Sequence, residues 1–266
     1  MPSKNRISEI RKLSQKKFRE ENGLFIVEGT KSVMDLLRSK LIVNELYATE
    51  GWMEKSGFSQ LHRKIPCEII TEKELERISC LTTPQEVLAI AVIPDYDIQQ
   101  INYQENILVL DGIRDPGNLG TIIRTADWFG IRQVVCSPDC VELTNPKTIQ
   151  ATMGSFSRIR VHYTDLPTFL STEKIQGRIY GTFMNGKPIQ DIIFQQNDLI
   201  VIGNEANGIS PAVEKCINEK IHIPSQNRKG EKAESLTLPS PQPSPCTNFA
   251  AKKDETLCPN ESSLVN

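Results

Sequence analysis

No apolar run in the 266-residue chain approaches the roughly 20 residues that a membrane-spanning helix needs, so a helical membrane protein is not expected. The N-terminus, Met1-Pro2-Ser3-Lys4-Asn5-Arg6, is basic, but no hydrophobic core segment follows it, and a secretory signal is not expected either. The seven cysteines (Cys67, Cys80, Cys136, Cys140, Cys216, Cys246, Cys258) are odd in number, widely spaced and never arranged as C-x-x-C. That pattern argues against a zinc site or a disulfide framework and for reduced thiols in a cytoplasm. His62, His162 and His222 are isolated from one another, so no metal or haem site is expected. No internal repeat is present.

What the chain does contain is the composition of a globular protein: 38% hydrophobic and 24% charged residues, with a formal net charge of -2. The charge is uneven. Residues 1–40 hold ten Lys or Arg against five Asp or Glu, a local net of +5. Such a segment can contact phosphate, or it can be a solvated helix face; charge by itself does not decide between the two.

Alternating apolar runs and helical stripes predict an α/β protein in two parts. In the first, residues 7–19 read as a helix, 24–27 as a buried strand, and Thr30 as the cap of a helix striped by Val33, Leu36 and Leu37. A strand at 42–47, a helix to about His62 and a strand at 67–70 follow. Thr71-Glu72-Lys73-Glu74 is a capping box for a helix through Ser79, and 87–93 is a strand buried on both faces. Residues 1–95 form this part, and the polar, aperiodic stretch around 96–105 reads as a linker. The second part, 106–238, is predicted to have strands at 107–110, 133–136, 158–162, 178–183, 199–202 and 221–224. Helices are expected at 118–129, 146–153, 166–174 and after Ser210-Pro211, giving a mostly parallel sheet covered by helices. From 239 onward, Pro239, Pro241, Pro243 and Pro245 alternate with polar residues, the pattern of a disordered tail.

Three segments carry chemistry. Asp115-Pro116-Gly117-Asn118-Leu119-Gly120-Thr121-Ile122-Ile123-Arg124-Thr125-Ala126-Asp127-Trp128-Phe129-Gly130 is a turn, a helix and a glycine stop, with Arg124 turned away from the apolar face of Leu119, Ile122, Ile123, Ala126 and Phe129. Taken alone, it is an ordinary capped helix with a solvated arginine. Leu199-Ile200-Val201-Ile202-Gly203-Asn204-Glu205-Ala206-Asn207-Gly208 puts a carboxylate just past a buried parallel strand, where ligands bind in open α/β sheets. Ile221-His222-Ile223-Pro224, followed later by Glu234-Ser235-Leu236, is a short strand and a polar loop.

In this order and spacing the three segments resemble the signature motifs of the SpoU (TrmH-type) branch of the SPOUT RNA methyltransferases, across roughly residues 105–236. Lys17-Phe18-Arg19-Glu20-Glu21-Asn22-Gly23-Leu24-Phe25-Ile26-Val27-Glu28-Gly29 resembles the family's L30e-like RNA substrate-binding domain. The resemblance implies an α/β protein whose C-terminal domain carries a trefoil knot. It also implies transfer of a methyl group from S-adenosylmethionine to a ribose 2′-hydroxyl in ribosomal or transfer RNA, by a homodimer that needs no metal. Arg124 would help activate the hydroxyl, with Asn118 and Glu205 ordering the site, Glu205 by fixing the Arg124 guanidinium. Thr182, Phe183, Gly203, Ile223, Ser235 and Leu236 would hold the methyl donor, and Lys12, Lys16, Lys17 and Arg19 would contact RNA. The third motif departs from the family: Ser235-Leu236 continues as Thr237-Leu238-Pro239 instead of through Asn into a helix of small apolar residues. An incomplete knot, a weakened dimer and an RNA-binding protein without catalysis are the expectations that this departure raises. A Rossmann-type methyltransferase fits less well, because Gly112, Gly117 and Gly120 do not give G-x-G-x-x-G.

Overall fold

The computed structural model describes residues 2–58 and 65–224. The described residues form a mixed α/β fold with two sheets, four-stranded (β1-β4-β2-β3) and six-stranded (β10-β8-β9-β5-β6-β7). The helices are α1 Lys4–Lys12, α2 Lys16–Asn22, α3 Thr30–Arg38, α4 Glu50–Lys55, α5 Glu72–Ile78, α6 Pro116–Trp128, α7 Pro146–Thr152, α8 Leu166–Leu170 and α9 Pro211–Glu214. The strands are β1 Leu24–Glu28, β2 Val43–Ala48, β3 Cys67–Ile69, β4 Val87–Val92, β5 Ile107–Asp111, β6 Gln133–Cys136, β7 Arg160–Tyr163, β8 Ile179–Pro188, β9 Leu199–Gly203 and β10 Glu219–His222. The expected tail, with Ser235 and Leu236, and the expected end of the helix near His62 lie outside the described residues.

Packing does not follow chain order. One compact unit consists of the described residues of Met1–Asp97 together with Arg114–Arg124 and Val141–Arg160; the other holds Ile98–Ile113, Thr125–Cys140 and the described chain from Val161 onward.

In the first unit, β4 lies between β1 and β2, antiparallel to both, with Phe25 opposite Ala91 and Leu46 opposite Ala89. Strand alternation sends Ile26, Leu88 and Ile90 to one face, where they bury against Ile10 and Leu13 and against Leu75 and Ile78 of α5. The predicted capping box forms: Thr71 accepts from the Glu74 backbone while the Glu74 carboxylate takes the Thr71 N–H. Thr30 is not the cap of α3. Gly29 occupies that position, and the Thr30 hydroxyl instead accepts the indole N–H of Trp52 at 3.1 Å. Glu28, at the end of β1, is a buried carboxylate that accepts from Ser79 Oγ and from the Cys80 N–H; burial pushes its carboxyl above the usual range.

The single helix expected over 7–19 is two helices, and Arg19 shows why. Its guanidinium donates to the Leu13 and Ser14 carbonyls at 2.9 and 2.8 Å, satisfying main-chain acceptors just past the end of α1. Its other amino group holds Glu142 Oε2 at 2.7 Å. Arg19 is 1% exposed, so the expectation that it faces RNA is corrected: it is a structural cation inside this unit. Removing this buried cation leaves two main-chain carbonyls and the half-buried Glu142 carboxylate without their donor and costs about 3 kcal/mol. Arg19→Ala is therefore expected to lose about that much stability in urea unfolding, whereas Lys17→Ala, at an exposed site, stays within about 0.5 kcal/mol of wild type. Equal midpoints for the two variants would refute the assignment.

In the second unit β10–β8, β8–β9, β9–β5 and β5–β6 all pair in parallel, in line with the expected parallel sheet. Ile107, Val109, Val135, Ile179, Leu199 and Val201 form its core with Leu166, Phe169 and Leu170. The stretch read as a linker contributes Ile101 to that core, with Ile98 and Tyr103 against it. Helix α8 stops at Leu170 rather than Lys174, because Ser171 turns its hydroxyl back to the Pro167 carbonyl and the chain leaves the helix there.

Candidate active site

Chain order explains where the second unit can bind a ligand. From β5 the chain steps outward to β6 and β7, then crosses to the other side of β5 for β8 and β9. The direction of winding reverses between β5 and β9, and in open parallel sheets the crevice beyond the carboxyl ends at such a reversal takes the ligand. The residues there are Asp111-Gly112 at the end of β5 and Gly203-Asn204-Glu205 at the end of β9.

Hydrogen bonds lock these ends together. Asp111 is 7% exposed, and its carboxylate accepts the Ser210 N–H at 2.7 Å. The Asn204 amide donates to the Gly112 carbonyl at 2.7 Å, and its oxygen accepts from Ala206 and Asn207 N–H. The turn closes as Asn204 pairs with Gly208. A Cβ on Gly203 would stand 2.2 Å from the Gly208 carbonyl carbon and 2.3 Å from the Ile209 nitrogen, so only glycine fits. Gly112 N–H donates to Ser137 Oγ at 2.9 Å, and Ile113 N–H to Cys140 Sγ at 3.2 Å. The Cys136 thiol, the largest influence, together with Ser137 and those backbone groups, brings Cys140 down to about 7, while burial pushes Cys136 well up.

The predicted donor-binding residues fall on neighbouring strands of this sheet. Strand β8 runs past Phe183, where it was expected to end, to Pro188, and its pairing with β10 jumps from Gly181–Lys220 to Lys187–Ile221. Residues 182–186 therefore bulge out of the ladder, the kind of irregularity that gathers beside active sites. Thr182 and Phe183 sit in that bulge. Thr182 Oγ1 donates to the Val201 carbonyl, and Lys220 Nζ stands 4.4 Å over the Phe183 ring. His222 Nδ1 is 2.8 Å from the Gly186 carbonyl. Ile223 follows the end of β10. The β8 bulge, the turn after β9 and the end of β10 belong to three adjacent strands.

In the first unit, Asn118 and Arg124 lie on α6. Asp115 Oδ1 accepts the Asn118 N–H at 2.8 Å, and Pro116 occupies the first turn, where its missing N–H costs nothing. Leu119 and Ile123 are fully buried and Arg124 is exposed, as the helical spacing predicts. Glu205, in the second unit, is an exposed residue of the turn after β9. Lys12, Lys16 and Lys17 are exposed on α1 and α2; Lys16 reaches Glu20 and Glu142 at 3.7 Å, and Lys17 reaches Glu21 at 3.8 Å. Lys12 also lines a concavity of about 520 Å³ with Lys4 and Arg11, two cations that charge counting alone did not single out. Among the described residues no group of three or more His, Cys, Asp or Glu could hold a metal, and no helix is long and apolar enough to cross a membrane.

Sequence reasoning did not count Asp111 and Asn204 among the site residues. Both left a signal: a carboxylate ending an otherwise apolar strand, and an Asn just after a strand-ending glycine, where it forms an Asx-turn.

Residues 105–236 match the model of the SpoU rRNA Methylase family, and residues 4–89 match the MRM3-like substrate binding domain. A 23S rRNA (guanosine(2553)-2'-O)-methyltransferase of Bacillus subtilis is 30% identical over 88% of this chain and 91% of its own length. A Porphyromonas gingivalis structure assigned to the TrmH family of RNA methyltransferases superposes with a TM-score of 0.81 at 29% identity, over 95% of this chain and 99% of that one. An AdoMet-bound rRNA methyltransferase from Sinorhizobium meliloti superposes with a TM-score of 0.78 at 26% identity, over 97% and 98% of the two chains. The chain belongs to the SpoU rRNA methylase family.

Proposed function

We propose that the protein transfers a methyl group from S-adenosylmethionine to a ribose 2′-hydroxyl of ribosomal RNA. The observation that carries this reading is the reversal of winding at β5 and β9, with the β8 bulge and the close-fitting glycine turn beside it. The likeness to the Bacillus subtilis methyltransferase over most of both chains supports it. The RNA-binding protein without catalysis has no such support: the family match runs through Ser235-Leu236 to residue 236.

The methyl donor supplies an electrophilic carbon on a sulfonium, which leaves as a neutral thioether. The protein's own residues supply what the ribose hydroxyl lacks. A 2′-hydroxyl is a weak nucleophile at neutral pH and must shed its proton, to the adjoining phosphate or to water, as the new O–C bond forms. Arg124, exposed on α6, binds the adjoining phosphate and stabilises the negative charge that builds on the oxygen. Asn118 and Glu205 order the site around it. Thr182, Phe183, Gly203 and Ile223 hold the donor, and Lys12, Lys16 and Lys17 hold the RNA by phosphate contacts. A homodimer is the proposed assembly.

The test is methyl transfer from radiolabelled S-adenosylmethionine to unmodified 23S rRNA transcribed in vitro. Label recovered in an alkali-resistant dinucleotide is the expected result, because a 2′-O-methyl group blocks cleavage of the following phosphodiester. Label released with a free base would overturn the ribose assignment.

A further inference from the structure

The helix that carries Arg124 rests on another helix at a contact too close for any side chain. On α6, a Cβ at Gly120 would lie 2.4 Å from Ala151 Cβ, 2.8 Å from the Thr148 carbonyl oxygen and 3.0 Å from the Ala151 carbonyl carbon. Both partners belong to α7, so the two backbones touch at Gly120. Helix α7 is in turn packed on β1 of the four-stranded sheet, with Thr148, Ile149 and Thr152 buried.

The chain segment around α7 is fastened to that sheet and its helices at both ends. Before it, Glu142 is held by the buried Arg19 at 2.7 Å. After it, Phe156 meets Phe25 of β1 edge to face at 6.1 Å between ring centroids, and Arg158 holds Asp35 of α3 at 3.0 Å. All of these residues belong to the first unit. The N-terminal sheet, α7 and the part of α6 through Arg124 are thus one packed body. Gly120 lies four residues, one helical turn, before Arg124 on α6.

We infer that Gly120 is a positioning residue for methyl transfer: its close seat on α7 lets the N-terminal sheet fix the orientation from which Arg124 acts. The inference rests on the functional reading above. It also assigns the N-terminal sheet a second task besides holding RNA, since the body that carries the basic helices α1 and α2 also sets the attitude of the Arg124 helix.

The experiment compares full-length wild type, Gly120→Ala and Gly120→Ala/Ala151→Gly in single-turnover methylation of the 23S rRNA transcript, beside calorimetric binding of S-adenosylmethionine and filter binding of the same RNA. The added methyl must push α6 off α7, and a displacement on the order of 1 Å at a reacting group costs about 100-fold in rate. Gly120→Ala is therefore expected to lose about 100-fold in the transfer step, with both affinities within about 3-fold of wild type. Removing the opposing Cβ in the double variant takes away the closest of the three contacts and leaves the 2.8 Å approach to the Thr148 carbonyl, so the rate is expected to recover in part, by about 3-fold, which a general loss of stability would not do. If Gly120→Ala fails to accumulate as folded protein, Glu142→Gln loosens the α7 segment from its far end, and the transfer rate must still fall while both affinities hold. A wild-type transfer rate in the Gly120 variant, or a loss that follows RNA or donor affinity and ignores Ala151→Gly, overturns the positioning role alone. A wild type that transfers no methyl overturns the functional reading and this inference with it.

Discussion

Arg124→Ala is expected to lower single-turnover methylation of 23S rRNA by about 100- to 1,000-fold, the range for removing one donor that stabilises charge developing on a reacting oxygen. RNA affinity should change only a few-fold. The reason is the difference between one contact and many. An arginine that binds one phosphate contributes one unit to the salt dependence of RNA binding, so its removal flattens the plot of affinity against salt by about one unit. The exposed Lys12, Lys16 and Lys17, with Lys4 and Arg11 beside them, keep the remaining attraction. Arg124→Lys separates charge from shape, because an ammonium can neutralise a phosphate but cannot bind it in a fork. Lysine should restore the salt dependence and only a minor part of the rate. A variant that loses rate and affinity in equal proportion would remove Arg124 from the chemistry and make it one more phosphate anchor. Exposure of the side chain, opposite the fully buried Leu119 and Ile123, is what leaves it available for either role.

Much of this arrangement is legible in the sequence because its signals are local. The capping box at Thr71 and Glu74 needs only a few adjacent residues, and it forms as expected. The runs at 107–110 and 199–202 are apolar throughout because parallel strands are buried on both faces, and both are strands at the centre of the larger sheet. The burial of Leu119 and Ile123 and the exposure of Arg124 follow from helical spacing alone. What the sequence hides depends on partners far along the chain. Arg19 stands in a basic stretch and reads as one more surface cation, yet Glu142, 123 residues away, and the carbonyls at the end of α1 draw it inside. Thr30 has the composition of a cap, but a tryptophan 22 residues later claims its oxygen. The β8 bulge is set by a register shift against β10, which no property of residues 182–186 announces. Gly120 reads as a weak point in a helix until Ala151 is seen against it. Chemical candidates are found by residue type, whereas the packing that aims them is written in pairs.

Gly203→Ala should weaken binding of S-adenosylmethionine severely. The new Cβ would fall 2.2 Å from the Gly208 carbonyl carbon, 2.3 Å from the Ile209 nitrogen and 2.5 Å from the Gly208 oxygen, all of them backbone atoms that no rotamer change can move. The turn must open, and the Asn204 amide that holds the Gly112 carbonyl moves with it. Overpacking of this kind costs about 1–3 kcal/mol in stability, so titration is done well below the melting transition of the variant. There the dissociation constant for the donor is expected to rise by at least about 30-fold, equivalent to about 2 kcal/mol. Asn204→Ala provides the gentler companion: it removes the tie to Gly112 without a collision, and its donor affinity should fall between wild type and Gly203→Ala. Gly51→Ala, where a Cβ meets nothing within 4 Å, serves as the control and should bind the donor as wild type does. Retention of donor affinity by a destabilised Gly203→Ala would mean that the turn after β9 shapes the fold without touching the ligand, and the donor would then have to be held by the β8 bulge and the residues after β10.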